Sequence, residues 1–180
     1  MPKTALVITD MLNPYEHEDS EPLADSVREK LPAIVDLLER AQAAPDDEVM
    51  VIYANDNQDQ WEAGRQELIE RALSGKHPEL VAPVAPREPV PFLAKGRHSV
   101  FYQTAFEHLL RSYDVECVVL AGQVTEQCIL YSALDAYMRG FEIKVPTDAV
   151  AHIHEDLAEG ALAMMERNMH AELMSAADVF

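Results

Sequence analysis

The sequence predicts an α/β protein: a parallel sheet of six strands with helices on both faces, in one domain spanning residues 1–180. Three observations predict it. Short apolar, β-branched runs alternate with helical patterns along the whole chain, the order expected of a sheet wound with helices. Several runs are apolar at consecutive positions, as strands buried on both faces are. One run, Asp114 to Gly122, ends in a glycine and a polar turn, and the next helical pattern opens near Cys128. Ligands of such sheets bind beyond the carboxyl ends of the strands.

The elements follow in order. Thr4 to Thr9 is an apolar run ending in Asp10. Glu16 to Glu21 is acidic and loop-like. Val27, Leu31, Ile34, Val35, Leu38 and Ala41 recur with helical spacing, and Pro32 either kinks that helix or starts its second half. Ala44-Pro45-Asp46-Asp47 is a break. Glu48 to Ala54 is the second strand, followed by a polar loop from Asn55 to Trp61 and a helix within Glu62 to Leu73. Lys76 to Pro91 holds five prolines and is read as a loop without helix or central strand, facing a partner or crossing the surface.

Phe92 to Lys95 is a short strand. A helix follows, with Thr104 as cap and Phe106, Leu109 and Leu110 facing inward. After Asp114 to Gly122, the helix over Ile129 to Met138 is closed by Gly140. Phe141 to Val145 is a strand, Glu155 to Arg167 an amphipathic helix, and Ala171 to Met174 a short last strand, with Ser175 capping a final turn. No internal repeat or second domain is visible.

Composition narrows the function. The net charge is 14 − 32 = −18, which argues against nucleic acid and anionic membranes as partners. The amino terminus does not read as a signal peptide, and no apolar stretch is long enough to span a bilayer. A cytoplasmic protein acting on a small molecule is expected. Cys117 and Cys128 form neither a C-x-x-C pair nor a zinc spacing.

Three polar residues stand at strand ends and can meet at one sheet edge: Asp10 ends the first strand, Lys95 ends the third, and Cys128 follows the Asp114–Gly122 strand. A lysine beside a thiol is expected to lower its pKa from an ordinary value of ~8.5. So is a helix N-terminus. A carboxylate in reach can take the thiol proton and later hand it to a leaving group. The alternatives are ordinary ones: Cys128 as a small core residue, Asp10 as a turn cap, Lys95 as a solvated charge.

The sequence resembles the isochorismatase-like cysteine hydrolases. The resemblance rests on the strand ending in Asp10, on Lys95-x-x-x-Ser99-x-Phe101 and on Gly122-x-Val124-Thr125-x-x-Cys128. It extends to Ala133-x-Asp135-Ala136-x-x-Arg139-Gly140 and Val145-Pro146-x-Asp148-Ala149. It implies a Rossmann-like, three-layer α/β/α fold with six parallel strands and an Asp10–Lys95–Cys128 triad. It also implies a cis peptide between Val124 and Thr125, with an oxyanion hole formed at Val124, Thr125 and Cys128. Homodimers or homotetramers are implied, some with a pocket completed by a partner chain.

Nicotinamidases of that family bind a metal through an Asp-x-His and a further histidine after the second strand. Here Asn55-Asp56-Asn57-Gln58-Asp59-Gln60-Trp61 holds no histidine. Asp56 and Asp59 alone are a poor transition-metal set. No metal and no cofactor are expected. His152 and His154 are a loop pair, and His98, close to Lys95, is read mainly as a surface histidine.

The expected pocket walls are Tyr15, Asn55, Trp61, Phe101, Tyr102 and Tyr131, with Trp61 first. The leading reading is a metal-independent cysteine amidohydrolase that cleaves a C–N bond of a small carboxamide, carbamoyl or ureido compound through a thioester. One alternative is vinyl-ether hydrolysis of an isochorismate-like acid, with Arg97 or Arg65 meeting the anion. Another is a non-catalytic binding domain or thiol redox sensor.

Overall fold

The computed structural model describes residues 4–45, 48–87 and 89–180. Asp46 and Asp47 of the expected break lie outside the described residues. The strands are β1 (Thr4–Thr9), β2 (Val49–Asp56), β3 (Phe92–Lys95), β4 (Cys117–Gln123), β5 (Glu142–Pro146), β6 (Val150–Ala151) and β7 (Glu172–Met174). The helices are α1 (Ser20–Ala43), α2 (Arg65–Leu73), α3 (Pro78–Val81), α4 (Phe106–Ser112), α5 (Leu130–Met138) and α6 (Glu155–Met169).

All strand pairings are parallel, in the order β3-β2-β1-β4-β5-β7. The sheet has seven strands rather than the expected six. The seventh, β6, pairs with Gly122 and Gln123 at the end of β4, beyond the reach of β5. Two residues are too few to show a strand period, which is why it is silent in the sequence.

Alternation along the strands divides the core. Leu6 and Ile8 of β1 and Val119 and Ala121 of β4 face one layer with α1, α2 and α3. Ala5, Val7, Val118 and Leu120 face the other with α4, α5 and α6. This period of two places apolar side chains on both faces, so the runs read as continuously hydrophobic. No helix of the described residues is long and apolar enough to cross a membrane.

Three expectations need revision. Helix α1 begins at Ser20, inside the segment read as acidic loop, and runs through Pro32 without interruption. The proline-rich segment contains a helical turn, α3, because Pro78 occupies its first position. There the missing N–H costs nothing and the fixed φ suits the helix. Residues 114–116 belong to the turn before β4.

The motif residues brace the second layer. Ser99 Oγ donates to Asp135 Oδ2 at 2.5 Å, and Asp135 pairs with Arg139, which also pairs with Glu107 at 2.9 Å. The Arg139 guanidinium lies 4.9 Å from the centre of the Phe101 ring. Asp148 accepts from Ser175 Oγ and from the N–H of Ala176, tying the C-terminal turn to the end of β5.

Candidate active site

The strand order reverses between β1 and β4, so a crevice opens at their carboxyl ends. Asp10 is the first residue after β1. Its backbone turns into the left-handed region, with φ at 55°, which aspartate tolerates better than most residues. Its N–H donates to Ala54 O at 2.9 Å, and its carbonyl accepts from Gln123 Nε2 at 2.5 Å. The Tyr15 hydroxyl reaches Gln123 Oε1 at 3.5 Å. Neighbouring strands therefore fix Asp10 from both sides.

Its carboxylate is held as firmly. Oδ1 accepts from the N–H of Asp56, the last residue of β2, at 2.6 Å. Oδ2 lies 2.8 Å from Lys95 Nζ. Lys95 ends β3 and is 1% exposed. Its ammonium also donates to Cys128 Sγ at 3.5 Å and lies 3.8 Å from Asp56 Oδ2. Burial works against that charge, but the Asp10 carboxylate and the Cys128 sulfur more than offset it, so Lys95 keeps its proton above the ordinary lysine range.

Gly122 brings β4 to this point. Its φ is +110°, and a Cβ there would stand 2.2 Å from Thr9 O, so only glycine lets the two strand ends approach. The cis peptide lies between Gln123 and Val124, one bond earlier than the resemblance implied. A π-helical turn, Thr125–Ile129, then leads into α5. Thr125 Oγ1 donates to Ala151 O at 2.9 Å, and Glu126 Oε1 accepts from the N–H groups of Ile153 and His154. These bonds pin the turn to the end of β6. The first N–H groups of a helix have no intrahelical acceptor, and Val124, Thr125 and Cys128 stand at this opening turn.

Cys128 is 7% exposed. Its thiol is pushed upward, first by burial and then by the negative charge of Asp10, with Lys95 opposing both. Lys95 acts in the expected direction, but burial and Asp10 outweigh it, so the net displacement favours the neutral thiol. The far side of the sulfur meets His98 Nδ1 at 3.8 Å.

A cavity of about 450 Å³ opens over these groups. Its lining includes Asp10, Asn55, Asp56, Gln58, His98, Gln123, Val124, Gln127, Cys128 and Ile153, with Glu16, His17, Asp19 and Arg71 also contributing. Of the expected pocket walls, Asn55 is among them. Its side chain accepts from Leu12 N and donates to Leu12 O, holding the loop after Asp10. Tyr15 is buried behind Gln123. Phe101 packs with Phe106 and Phe141 in the second core layer. Tyr131 stacks its ring 5.4 Å from that of His98. Trp61, 76% exposed, and Tyr102 line a separate groove with Arg97. Arg65 donates to Pro86 O.

Gln123 and Asp56 belong to this site without a signal in the sequence: a glutamine closing a strand looks like a turn residue, and Asp56 reads only as a potential metal ligand. The segment after β2 does not suit a transition metal here. Asp56 Oδ1 caps Gln58 N, Asn57 Oδ1 accepts from Asp59 N, and no imidazole stands in the segment. Among the described residues no group of three or more His, Cys, Asp or Glu side chains is placed to hold a metal ion.

Comparison with known proteins bears on this arrangement. The family model of the isochorismatase domain matches residues 4–178. An uncharacterized isochorismatase family protein, YaaI of Bacillus subtilis, is 34% identical over 169 residues, covering 94% of this chain and 92% of that protein. The maleamate amidohydrolase of Pseudomonas putida is 39% identical over 79 residues, 44% of this chain and 37% of that enzyme. The crystal structure of the nicotinamidase PncA from Bacillus subtilis superposes with a TM-score of 0.71 at 26% identity, covering 96% of this chain and 100% of that one.

Proposed function

The chain belongs to the isochorismatase family, and from that premise we propose that it is a cysteine amidohydrolase. It cleaves the C–N bond of a small carboxamide, carbamoyl or ureido compound through a thioester on Cys128, without a metal. The observation that carries this reading is Lys95, whose buried ammonium touches both the Asp10 carboxylate and the Cys128 sulfur.

The steps follow from that contact. The thiol proton passes to Asp10 as Sγ bonds to the substrate carbonyl carbon. The N–H groups at Val124, Thr125 and Cys128 receive the oxyanion, and one such donor is typically worth about 3 kcal/mol. The nitrogen leaves with a proton, and water then hydrolyses the thioester.

An amide fits the cavity better than an acidic vinyl ether. Gln58 is a residue of its wall, and the carbonyl oxygen of that side chain is buried with no hydrogen-bond partner among the described residues. A substrate N–H would satisfy it. Asp10, Glu16, Asp19 and Asp56 would repel a dianion, against Arg71 at the wall, 3.9 Å from Glu16, and Lys95 behind it. Carbonyl compounds are the relatives' substrates by name as well: one is a maleamate amidohydrolase and one a nicotinamidase.

The proposed assembly is a homodimer or homotetramer. Tyr131, Leu134 and Met138 expose one side of α5, and Leu157 and Met164 expose apolar surface on the neighbouring α6. Sedimentation would measure it, and a monomer at micromolar concentration would refute it.

Ammonia release over a panel of small amides and ureides tests the activity, with Cys128→Ala as control. Activity is expected in the wild type and absent in the variant. Cleavage that survives Cys128→Ala would overturn the thioester route.

A further inference from the structure

The mechanism above leaves one acid–base group beside the sulfur unused. His98 stands in the loop between Lys95 and Ser99, and its ring is exposed to the cavity it helps to line. Nδ1 lies 3.8 Å from Cys128 Sγ, within reach of a sulfur hydrogen bond. The ring is backed by Tyr131, 5.4 Å away and tilted by 56°. The loop is anchored just beyond it, where Ser99 bonds to Asp135 and the N–H of Val100 donates to Ser132 Oγ. This is a placed imidazole rather than a wandering surface one.

Asp10 is poorly suited to serve every proton in the reaction. One of its oxygens is held by Lys95 and the other by the N–H of Asp56. Held at both oxygens, the carboxylate is fixed in orientation, whereas His98 lines the cavity beside the sulfur.

Resting on the thioester reading, we propose that His98 is a further catalytic residue, the acid that protonates the leaving nitrogen and the base that activates the incoming water. The protons balance as follows. Sγ bonds to the carbonyl carbon and its proton goes to Asp10. The C–N bond breaks as the His98 imidazolium gives its Nδ1 proton to the nitrogen. Water bonds to the thioester carbon and yields a proton to the now neutral His98. The C–S bond breaks, and Asp10 returns its proton to sulfur. Amide and water have become acid and amine, and the enzyme is restored.

The test separates the two half-reactions with p-nitrophenyl acetate. Its leaving group departs as an anion and needs no proton, so acylation bypasses His98, while deacylation still needs the activated water. In His98→Gln the nitrophenolate burst is expected to keep its rate within about threefold. The steady-state rate is expected to fall about 100-fold, the lower end of general-base effects. Intact-mass measurement should then show the acetyl group accumulating on the protein. In His98→Ala, imidazole added to the isolated acyl-enzyme should speed deacylation.

Equal slowing of burst and steady state would assign His98 a structural role and overturn the proposal. So would an unchanged steady state. Ester turnover or a burst that persists undiminished in Cys128→Ala would instead overturn the thioester reading, and this proposal with it.

Discussion

Replacing Lys95 by methionine keeps the length of the side chain and removes its charge. Nζ lies 2.8 Å from Asp10 Oδ2, with Lys95 fully buried and Asp10 13% exposed. At an effective dielectric constant of about 20, that separation corresponds to a Coulomb attraction of about 6 kcal/mol. Desolvation of both groups offsets much of it, and breaking a buried pair by removing one partner typically costs ~3–5 kcal/mol. In a domain of this size each kcal/mol lowers Tm by about 2–4 °C, so Lys95→Met is expected to melt about 10 °C lower. The assay is urea denaturation at pH 7, run on Lys95→Met, Asp10→Asn and the double variant. Removing both charges leaves no orphan, so the double variant is expected to be more stable than Lys95→Met alone. The coupling should reach about 2 kcal/mol, within the range seen for residues in contact. Additive losses would refute the argument, because two groups whose effects add are not holding one another.

Three further outcomes are expected. Gly122→Ala should destabilise the fold by ~3 kcal/mol, through the positive φ and the 2.2 Å approach to Thr9 O; a thermal midpoint within 2 °C of wild type would show that the strand ends can part. Stability should fall with alkaline pH. Burial pushes Cys117 up to about 11 and Tyr53 up to about 12, with Cys128 and Tyr15 displaced in the same direction. The unfolded chain sheds those protons first, from pH ~8.5 for thiols and ~10 for tyrosines, so each contribution is lost as pH rises; a urea midpoint unchanged to pH 11 would contradict this. Iodoacetamide should alkylate Cys128 at pH 7 more slowly than a free thiol, and faster in Asp10→Asn than in the wild type, because burial is then left to oppose Lys95 without Asp10; peptide mapping would read this out, and a wild-type rate that plateaus below pH 8 would show that Lys95 outweighs burial.

What could be read from the chain depended on how local the cause was. β1 and β3 were legible to the residue because an apolar run ends at a charged group, Asp10 or Lys95, at the sheet edge. β6 was not, since its two residues form a strand only because Gly122 and Gln123 offer an unpaired edge. Helix α3 hid among prolines because one proline happened to stand at its first position. In the candidate site, the meeting of Asp10, Lys95 and Cys128 was legible because Asp10 and Lys95 stand at strand ends and Cys128 follows the turn after β4. Trp61 and Asn55 show the limit: the sequence reads both as one loop, yet Asn55 belongs to β2 and turns toward Leu12 and the cavity while Trp61, beyond the strand, lies against Gly96 in another groove. Sequence gives the position along a loop but not the side it faces. The net displacement of the Cys128 thiol is hidden from the sequence for a related reason. Lysine was visible as a neighbour, whereas the depth of burial and the competing charge of Asp10 belong to the folded molecule.

A neutral resting thiol is compatible with nucleophilic attack once charge is followed through the proposed step. Before it, the buried cluster holds an ammonium, a carboxylate and a neutral sulfur. As the thiol proton passes to Asp10, the carboxylate becomes neutral and the negative charge moves to sulfur. Lys95 faces both positions, 2.8 Å from the first and 3.5 Å from the second. The cluster therefore keeps one positive and one negative charge throughout, and no new net charge is created in a poorly solvated region. The transfer is uphill without a substrate, because a thiol (~8.5) is ordinarily a far weaker acid than a carboxylic acid (~3.9), and the ammonium also sits closer to oxygen than to sulfur. It becomes favourable only when a carbonyl carbon draws the sulfur electrons and the oxyanion meets the N–H groups of the turn at Val124 to Cys128. In the proposed reaction, reactivity is thereby conditional on a bound carbonyl, and a thiol kept neutral at rest would be spared the alkylation and oxidation that a free thiolate invites.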